Sequence, residues 1–280
     1  MTQTLLSIGH GYSAQALARI LPADWQVIAT TRSAEKAAAM TGAEVVIWPG
    51  GDLAGAVARA THVLSSVAPD ADSDPVLRDI GPALARADHL RWVGYLSTTG
   101  VYGDHHGGWV DETTPLTPAT ERGIARMQAE AAWRDLNLPL HIFRLAGIYG
   151  PGRGPFAKVK SGTARRIIKP GQVFSRAHVE DIAQVLLASI QRPNPGAVYN
   201  VCDDDPAPPQ DVIAHAAELL GMAIPPDIPF DEAAFTPMAR SFYAESKKVR
   251  NDRIKDELGV VLKYPDYKAG LAALLAAEAD

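Results

Sequence analysis

A single cysteine, Cys202, stands among the 280 residues, so no disulfide can close within the chain and no thiolate cluster can hold a metal. It follows Tyr199-Asn200-Val201 in a strand-like run, where a buried, inert thiol is expected rather than a nucleophile. No apolar run approaches the roughly 18 residues that span a bilayer. Met1-Thr2-Gln3 leads into the first apolar stretch without a basic leader, so a cytoplasmic location and no membrane partner are expected. Positive charge is scarce: 27 Lys plus Arg against 32 Asp plus Glu give a net charge of −5, which makes nucleic acid a poor partner. What is present, 47% hydrophobic and 21% charged residues, is an ordinary soluble globular balance with enough apolar material for a sizeable core.

The apolar stretch Thr4-Leu5-Leu6-Ser7-Ile8 runs into Gly9-His10-Gly11-Tyr12-Ser13-Ala14, a GxGxxA turn, and Ala14, Leu17, Ala18 and Leu21 then recur at helical spacing. Strand, glycine turn and helix in that order are the parts that hold a dinucleotide. Gly9 permits the tight turn, Gly11 leaves room for a pyrophosphate to approach the backbone, and Ala14 lets the helix pack close to the strand. The helix N-terminus offers free N–H groups to the anion. Gly9, His10, Gly11, Tyr12, Ser13 and Ala14 are therefore the expected cofactor cradle, the alternative being an ordinary glycine-rich turn.

Strand-like and helical patterns alternate through the first half: Trp25–Thr31 (strand), Ser33–Met40 (helix), Ala43–Trp48 (strand), His62–Ser66 (strand), Pro75–Ala87 (helix) and Arg91–Ser97 (strand). Such alternation predicts an α/β fold, a doubly wound parallel sheet with helical crossovers. A polar, glycine-rich stretch from Thr98 to Pro118 precedes a helix from about Pro118 to Leu136, with Thr117 as its expected N-cap. Pro139–Leu145 returns as a buried strand. Beyond Gly150-Pro151-Gly152-Arg153-Gly154-Pro155 the rhythm changes to loops, a short strand at Arg165–Lys169 and the turn Pro170-Gly171, before a helix at His178–Gln191 and a strand at Ala197–Cys202. The expected division is a dinucleotide-binding core in 1–151 and 178–202 and a smaller substrate lobe in 152–177 and 203–280.

Four ordered segments resemble the extended short-chain dehydrogenase/reductase family, the NAD(P)-dependent epimerases and dehydratases. They are Leu96-Ser97-Thr98-Thr99-Gly100-Val101-Tyr102-Gly103, Phe143-Arg144-Leu145-Ala146-Gly147-Ile148-Tyr149-Gly150-Pro151-Gly152, Arg176-Ala177-His178-Val179-Glu180-Asp181-Ile182-Ala183 and Tyr199-Asn200-Val201. The stretch from Asn251 to Gly259, followed by Tyr264-Pro265-Asp266-Tyr267, is similar to the family's closing region. The glycine turn is shorter than the usual TGxxGxxG and is similar to an atypical subgroup.

The resemblance implies a Tyr-x-x-x-Lys pair on the helix after the Ser/Thr segment, four residues before a Glu. Aligning on Glu130 puts Arg122 at the Tyr position and Arg126 at the Lys position. In the family the Tyr exchanges a proton with the substrate oxygen while hydride moves, and the Lys lowers its pKa. A guanidinium binds and polarises but has no proton to exchange at relevant pH. Thr98 takes the family's Ser/Thr position, so Thr98, Arg122 and Arg126 are the implied catalytic residues. Arg126 and Glu130 are spaced to pair on one helix face, whereas Arg122 has no such partner. Thr99 and Gly100 stand where sugar-nucleotide dehydratases carry an acidic pair, which argues against dehydration. Any replacement proton donor would come from Tyr102, Asp104, His105, His106, Glu121 or Tyr149. The spacing of His105 and His106 supplies no third ligand for a metal.

The second strand ends in Thr31-Arg32-Ser33 without the acidic residue that binds a ribose 2′-hydroxyl, and Arg32 suits a 2′-phosphate; NADP(H) is therefore favoured over NAD(H). Val67, Ala68 and Pro69 resemble the family segment along the adenine-ribose side. The expected partner is a small substrate, anionic if Arg144, Arg153, Arg165, Arg166 or Arg176 meets it, with a nucleotide-sugar-like molecule one option and a homodimer one assembly open to the chain. The expected chemistry is hydride transfer or epimerisation at a hydroxyl or carbonyl carbon. The rival expectation is a non-catalytic NADP(H) sensor that acts through a protein partner, because fold alone does not decide function. A Rossmann methyltransferase fits less well, having no use for Arg32.

Overall fold

Neighbouring residues on the central strands point to opposite sides, and both sides are apolar, so the sheet must be covered by helices on two faces. The computed structural model, which describes residues 3–279, has this arrangement. The first half alternates as β1 (Thr4–Ile8), α1 (Tyr12–Ile20), β2 (Gln26–Thr31), α2 (Ala34–Ala39), β3 (Glu44–Ile47), α3 (Leu53–Arg59), β4 (His62–Ser65), α4 (Pro75–Leu84) and β5 (Trp92–Thr98). A short 3-10 turn (Thr99–Tyr102) and β6 (Trp109–Val110) precede α5 (Glu121–Arg134), β7 (Leu140–Leu145), β8 (Gly147–Tyr149), α6 (Phe156–Lys160) and β9 (Arg166–Ile168). The chain continues through β10 (Arg176–His178), α7 (Val179–Gln191), β11 (Val198–Val201), α8 (Pro209–Leu219) and β12 (Asp227–Pro229). Last come α9 (Pro237–Phe242), β13 (Lys248–Val249), α10 (Asp252–Asp256) and α11 (Tyr267–Ala279).

Seven strands form one sheet in the order β11-β7-β5-β4-β1-β2-β3, and all its pairings are parallel. The expected doubly wound Rossmann sheet is therefore present. Leu5, Leu64, Trp92 and Phe143 pack with Leu17 of α1 and Ile182 and Leu186 of α7. One residue along each strand, Leu6, Val63, Val93 and Ile142 pack with Val57 of α3, Ile80 of α4 and Trp133 of α5. That one-residue offset between the two clusters is the strand period of two, read twice. A third cluster joins Tyr149, Phe156 and Val159 to Ala216 of α8 and Leu271 of α11. Ile254, Leu258 and Val260 pack into the α1/α7 cluster.

Helix starts follow side-chain chemistry. Asp74 accepts the N–H groups of Val76 and Leu77 while Pro75 fills the first helical position. The helix α3 lies where no helix was expected, yet Asp52 caps it by accepting the Gly55 N–H at 2.7 Å. The helix α5 begins later than expected. Thr120, not Thr117, is its cap and accepts the Gly123 N–H at 3.2 Å. Thr117 is committed elsewhere, its hydroxyl donating to the Tyr102 carbonyl at 2.8 Å. The polar stretch after β5 also holds more structure than its composition suggests, since β6 pairs with β13 and ties it to the C-terminal segment. Among the described residues no helix is long and apolar enough to cross a membrane.

Candidate functional site

The order of the sheet reverses between β1 and β4: α1 returns the chain along one face and α3 along the other. Ligands of such sheets bind at the carboxyl edge beside this reversal. A cleft of about 700 Å³ opens there, lined by Gly9, Gly11, Tyr12 and Ser13 after β1, Ser66 after β4, and Thr98 at the end of β5. Gly9 has φ +74, and a Cβ on it would lie 2.9 Å from Val67 Cγ2, so the turn itself requires glycine. The turn is pinned by Thr30, whose Oγ1 accepts the Gly9 N–H at 2.8 Å, and by Ser66, whose Oγ donates to the Gly9 carbonyl at 2.9 Å.

Gly11 differs in an informative way. Its φ of −96 suits any residue, and a Cβ there would meet only the Gly9 carbonyl at an ordinary 3.6 Å. The protein's own packing does not require glycine at this position; a bound group above the N-terminus of α1 would. No side chain caps that helix, so its first-turn N–H groups are free for an anion. These observations fit a dinucleotide pyrophosphate. His10 sits beside the turn with Nδ1 2.9 Å from Ser7 Oγ, and burial lowers its pKa. Ala14 is fully buried against the sheet. Tyr12 donates its hydroxyl to the Pro151 carbonyl at 2.9 Å, closing one end of the cleft.

At the end of β2, Thr31 Oγ1 accepts the Ser33 N–H at 3.3 Å and Ser33 caps α2 through the Lys36 N–H at 3.2 Å. Arg32 between them is exposed. Val67 packs against Gly9, Ala68 is exposed and Pro69 half-buried. None of Thr31, Arg32, Ser33, Val67, Ala68 and Pro69 is among the residues lining the cleft.

Thr98, Arg122 and Arg126 do line it. Thr98 Oγ1 accepts the Gly100 N–H at 3.1 Å, which leaves its O–H to donate. Arg126 turns back toward β5, its Nη1 donating to the Leu96 carbonyl at 2.7 Å and to Tyr95 Oη at 3.0 Å. The expected Arg126–Glu130 pair does not form. Glu130 is instead fully buried and takes Arg144 in a two-point bridge, at 3.1 Å from Nε and 2.7 Å from Nη2, with Ser97 Oγ donating at 2.6 Å. Arg122 has a partner not foreseen on its own helix: its guanidinium lies 4.7 Å from the Phe242 ring centroid, joining α5 to α9.

The anticipated proton donors fare differently. Tyr102 is buried, donates to Asn200 Oδ1 at 2.7 Å and accepts from Arg144 Nη1 at 2.9 Å, and burial pushes its pKa up to about 12. Burial also raises the pKa of Tyr149, which does line the cleft. Asp104, His105, His106 and Glu121 are not among the lining residues. Asp104 accepts the N–H groups of Ser246 and His106, and His105 Nε2 lies 3.1 Å from the Tyr102 carbonyl. The Cys202 thiol is buried, donates to the Val249 carbonyl at 3.2 Å and is pushed up by burial, as expected of an inert thiol. No group of three or more metal-ligating side chains occurs among the described residues.

Of the five arginines considered for an anionic substrate, Arg153 and Arg176 line the cleft. Arg144 is unavailable because of its bridge to Glu130. Arg165 donates to the Ala234 carbonyl and Arg166 pairs with Asp227. Two charged lining residues were not foreseen from the sequence: Glu245 and Lys247. In Ala244-Glu245-Ser246-Lys247-Lys248 they read as a solvated charged run. Contacts with distant segments place them at the cleft: Gln172 donates to the Glu245 carbonyl and Lys247 to the Gly103 carbonyl.

The sequence model of the NAD dependent epimerase/dehydratase family matches residues 83–202. Protein YeeZ of Escherichia coli (strain K12) is 33% identical over 187 residues, a match covering 65% of this chain and 62% of YeeZ; the chain thus spans less than two thirds of that relative's length. A 3-diazoavenalumate denitrifying reductase of a Streptomyces species is 29% identical over 176 residues, covering 58% of this chain and 55% of the reductase. Among solved structures, a conserved protein of unknown function from Silicibacter pomeroyi DSS is 62% identical, with a TM-score of 0.93 and 99% of each chain covered.

Proposed function

We propose that the chain is an NADP(H)-binding oxidoreductase or epimerase of the NAD dependent epimerase/dehydratase family, whose sequence model matches residues 83–202, acting at a hydroxyl or carbonyl carbon of a small anionic substrate, nucleotide-sugar-like or smaller. The observation that carries this reading is the bare N-terminus of α1, kept open by Gly11 in the same cleft that holds Thr98 and Arg126. A nicotinamide nucleotide held there would supply or accept the hydride. The cradle of Gly9, Gly11, Tyr12 and Ser13 would take its pyrophosphate. Arg32 supports a 2′-phosphate and hence NADP(H) over NAD(H), and a relative named as a reductase supports the oxidoreductase assignment.

The chain's own residues do the rest. Thr98 donates its hydroxyl proton in a hydrogen bond to the reacting oxygen. Arg126 replaces the family's Lys as a fixed cation, anchored by one guanidinium nitrogen on β5 and the Val67 carbonyl, its other nitrogens without a hydrogen-bond partner among the described residues. Arg122 replaces the Tyr as a binding group only. Four arginines and one lysine against one glutamate line the cleft, so a chain of net charge −5 presents a positive mouth to an anion. The guanidinium in place of a tyrosine favours a second reading, a nucleotide sensor without turnover. Calorimetry with NADPH and NADH, followed by absorbance assays on carbonyl and nucleotide-sugar panels, tests both. Binding with turnover supports the enzyme, binding without turnover the sensor, and no binding removes both.

A further inference from the structure

Removal of the family's tyrosine leaves the reacting oxygen without a proton source, and the cleft wall offers few replacements. Four of its charged groups are arginines, which keep their protons at any relevant pH. Of the lining tyrosines, Tyr12 donates its hydroxyl to the Pro151 carbonyl and Tyr149 to the Asp266 carbonyl, and burial raises the pKa of both and of Tyr267. Glu245 and Lys247 remain.

The two form an ion pair within the wall. Lys247 Nζ donates to Glu245 Oε2 at 2.7 Å and to the Gly103 carbonyl at 2.5 Å, with side-chain exposures of 10% for Lys247 and 11% for Glu245. An ammonium has three N–H groups, and these two bonds occupy two of them; the third has no partner among the described residues. Glu245 Oε1 is buried and likewise without a hydrogen-bond partner. The cleft wall thus holds an ammonium with one N–H left over beside a carboxylate whose second oxygen is buried and unpaired.

Their placement is fixed from both directions. Gly103 closes the 3-10 turn that follows Thr98, so Lys247 is tied to the loop carrying the implied substrate contact. Gln172 donates to the Glu245 carbonyl at 2.7 Å, Ser246 donates its hydroxyl to the Gly171 carbonyl at 2.8 Å, and Lys248 pairs with Trp109 across β13 and β6.

We propose that Lys247, with Glu245 as its counter-ion, is the proton donor and acceptor of this cleft and takes the place of the missing tyrosine. This inference rests on the proposed oxidoreductase reading. In the reducing direction the carbonyl carbon gains a hydride with its electron pair from a reduced nicotinamide nucleotide, which is oxidised. The carbonyl π electrons move to oxygen, an O–H bond forms as an N–H bond of Lys247 breaks, and water returns a proton to Nζ. Glu245, 2.7 Å from Nζ through Oε2, holds the amine in place and balances its charge when the proton returns.

The test compares the full-length wild type with Lys247→Arg, Lys247→Met and Glu245→Gln. Cofactor binding is read by calorimetry, folding by thermal melts, and turnover by absorbance with NADPH and NADH against phenanthrenequinone and pyruvate. Arg preserves charge and hydrogen bonds but cannot release a proton. Reduction by the wild type, a loss of at least about 100-fold in kcat in both Lys247 variants, and a cofactor Kd within twofold of wild type support the proposal. Should Lys247→Met fail to fold, Lys247→Arg and Glu245→Gln carry the comparison. Turnover by Lys247→Arg within about fivefold of wild type overturns it, since charge alone would then suffice. Cofactor binding without reduction of either carbonyl by the wild type also overturns it while leaving the cofactor reading intact; absence of cofactor binding overturns that reading as well.

Discussion

Replacing Gly11 by Ala should separate binding from folding, because the structure gives the two properties different reasons to care about that position. The backbone there is already in a region open to alanine, at φ −96, and the new methyl would touch only the Gly9 carbonyl at 3.6 Å. An alanine is a poorer N-cap than glycine by roughly 0.5–1 kcal/mol, while the loss of glycine's freedom in the unfolded chain returns about 0.4–1 kcal/mol. The net change in stability should be under about 1 kcal/mol. Binding is another matter, since the methyl occupies the space through which a pyrophosphate reaches the first-turn N–H groups. Weakening one or two charge-assisted hydrogen bonds, at about 1.5–3 kcal/mol each, together with the helix-terminus interaction, costs about 2–4 kcal/mol. That corresponds to roughly 30- to 1000-fold in Kd. Calorimetric titration with NADPH and NADH gives the affinity, and urea denaturation gives the stability. An unchanged Kd in Gly11→Ala, or a loss of several kcal/mol of stability, would refute the reasoning. Gly9→Ala is the control with the opposite signature: its φ of +74 and a 2.9 Å approach to Val67 Cγ2 make it unstable before binding is tested.

Arg32→Ala should weaken NADPH binding about tenfold or more and leave NADH unchanged; equal loss for both, or for neither, removes the 2′-phosphate assignment. Glu130→Gln takes one charge from a fully buried pair, and the Arg144 guanidinium left behind should cost about 3–5 kcal/mol in chemical denaturation. Stability should also fall on acidification. Burial holds His62, His141 and His178 at about 4, below their ordinary value of 6.5, so the unfolded chain takes up protons first, and each adds a loss of up to about 1.4 kcal/mol per pH unit between those values. Asp203 opposes them: burial raises it to about 8, so its contribution falls as pH rises from its ordinary 3.8 through that range. Burial also raises Glu112 and Asp181, which act with Asp203, and lowers His10, which acts with the other histidines; the four histidines outweigh the three carboxyls, and thermal midpoints should peak near pH 6.5 and drop toward pH 4, so a midpoint that rises on acidification contradicts this.

Much of the fold was legible because local signals agree with it. The run Leu5-Leu6 with glycines following, Asp74-Pro75 before a helical period, and alternating strands such as Trp92-Val93 each carry the periodicity that the sheet and its helices require. The later start of α5 was not legible, since Thr117 and Thr120 are equally good caps and only the distant Tyr102 carbonyl claims Thr117. Glu130 shows the same limit at the site. Helical spacing offered it Arg126, but a carboxylate this buried goes to the Arg144 fork from β7, a contact made across 14 residues, and Arg134 on its own helix approaches it at 3.6 Å. The glycine cradle was readable residue by residue; Glu245 and Lys247 were not, because contacts with Gln172, Gly171 and Gly103, far away in sequence, hold their segment at the cleft.

The central claim is that bare amides at the start of α1 hold a nicotinamide nucleotide. Isothermal titration of cofactor-stripped wild-type protein measures it most directly. Saturable heat with a one-to-one stoichiometry for NADPH, and weaker binding of NADH, is the expected result; no heat with either nucleotide would contradict the account.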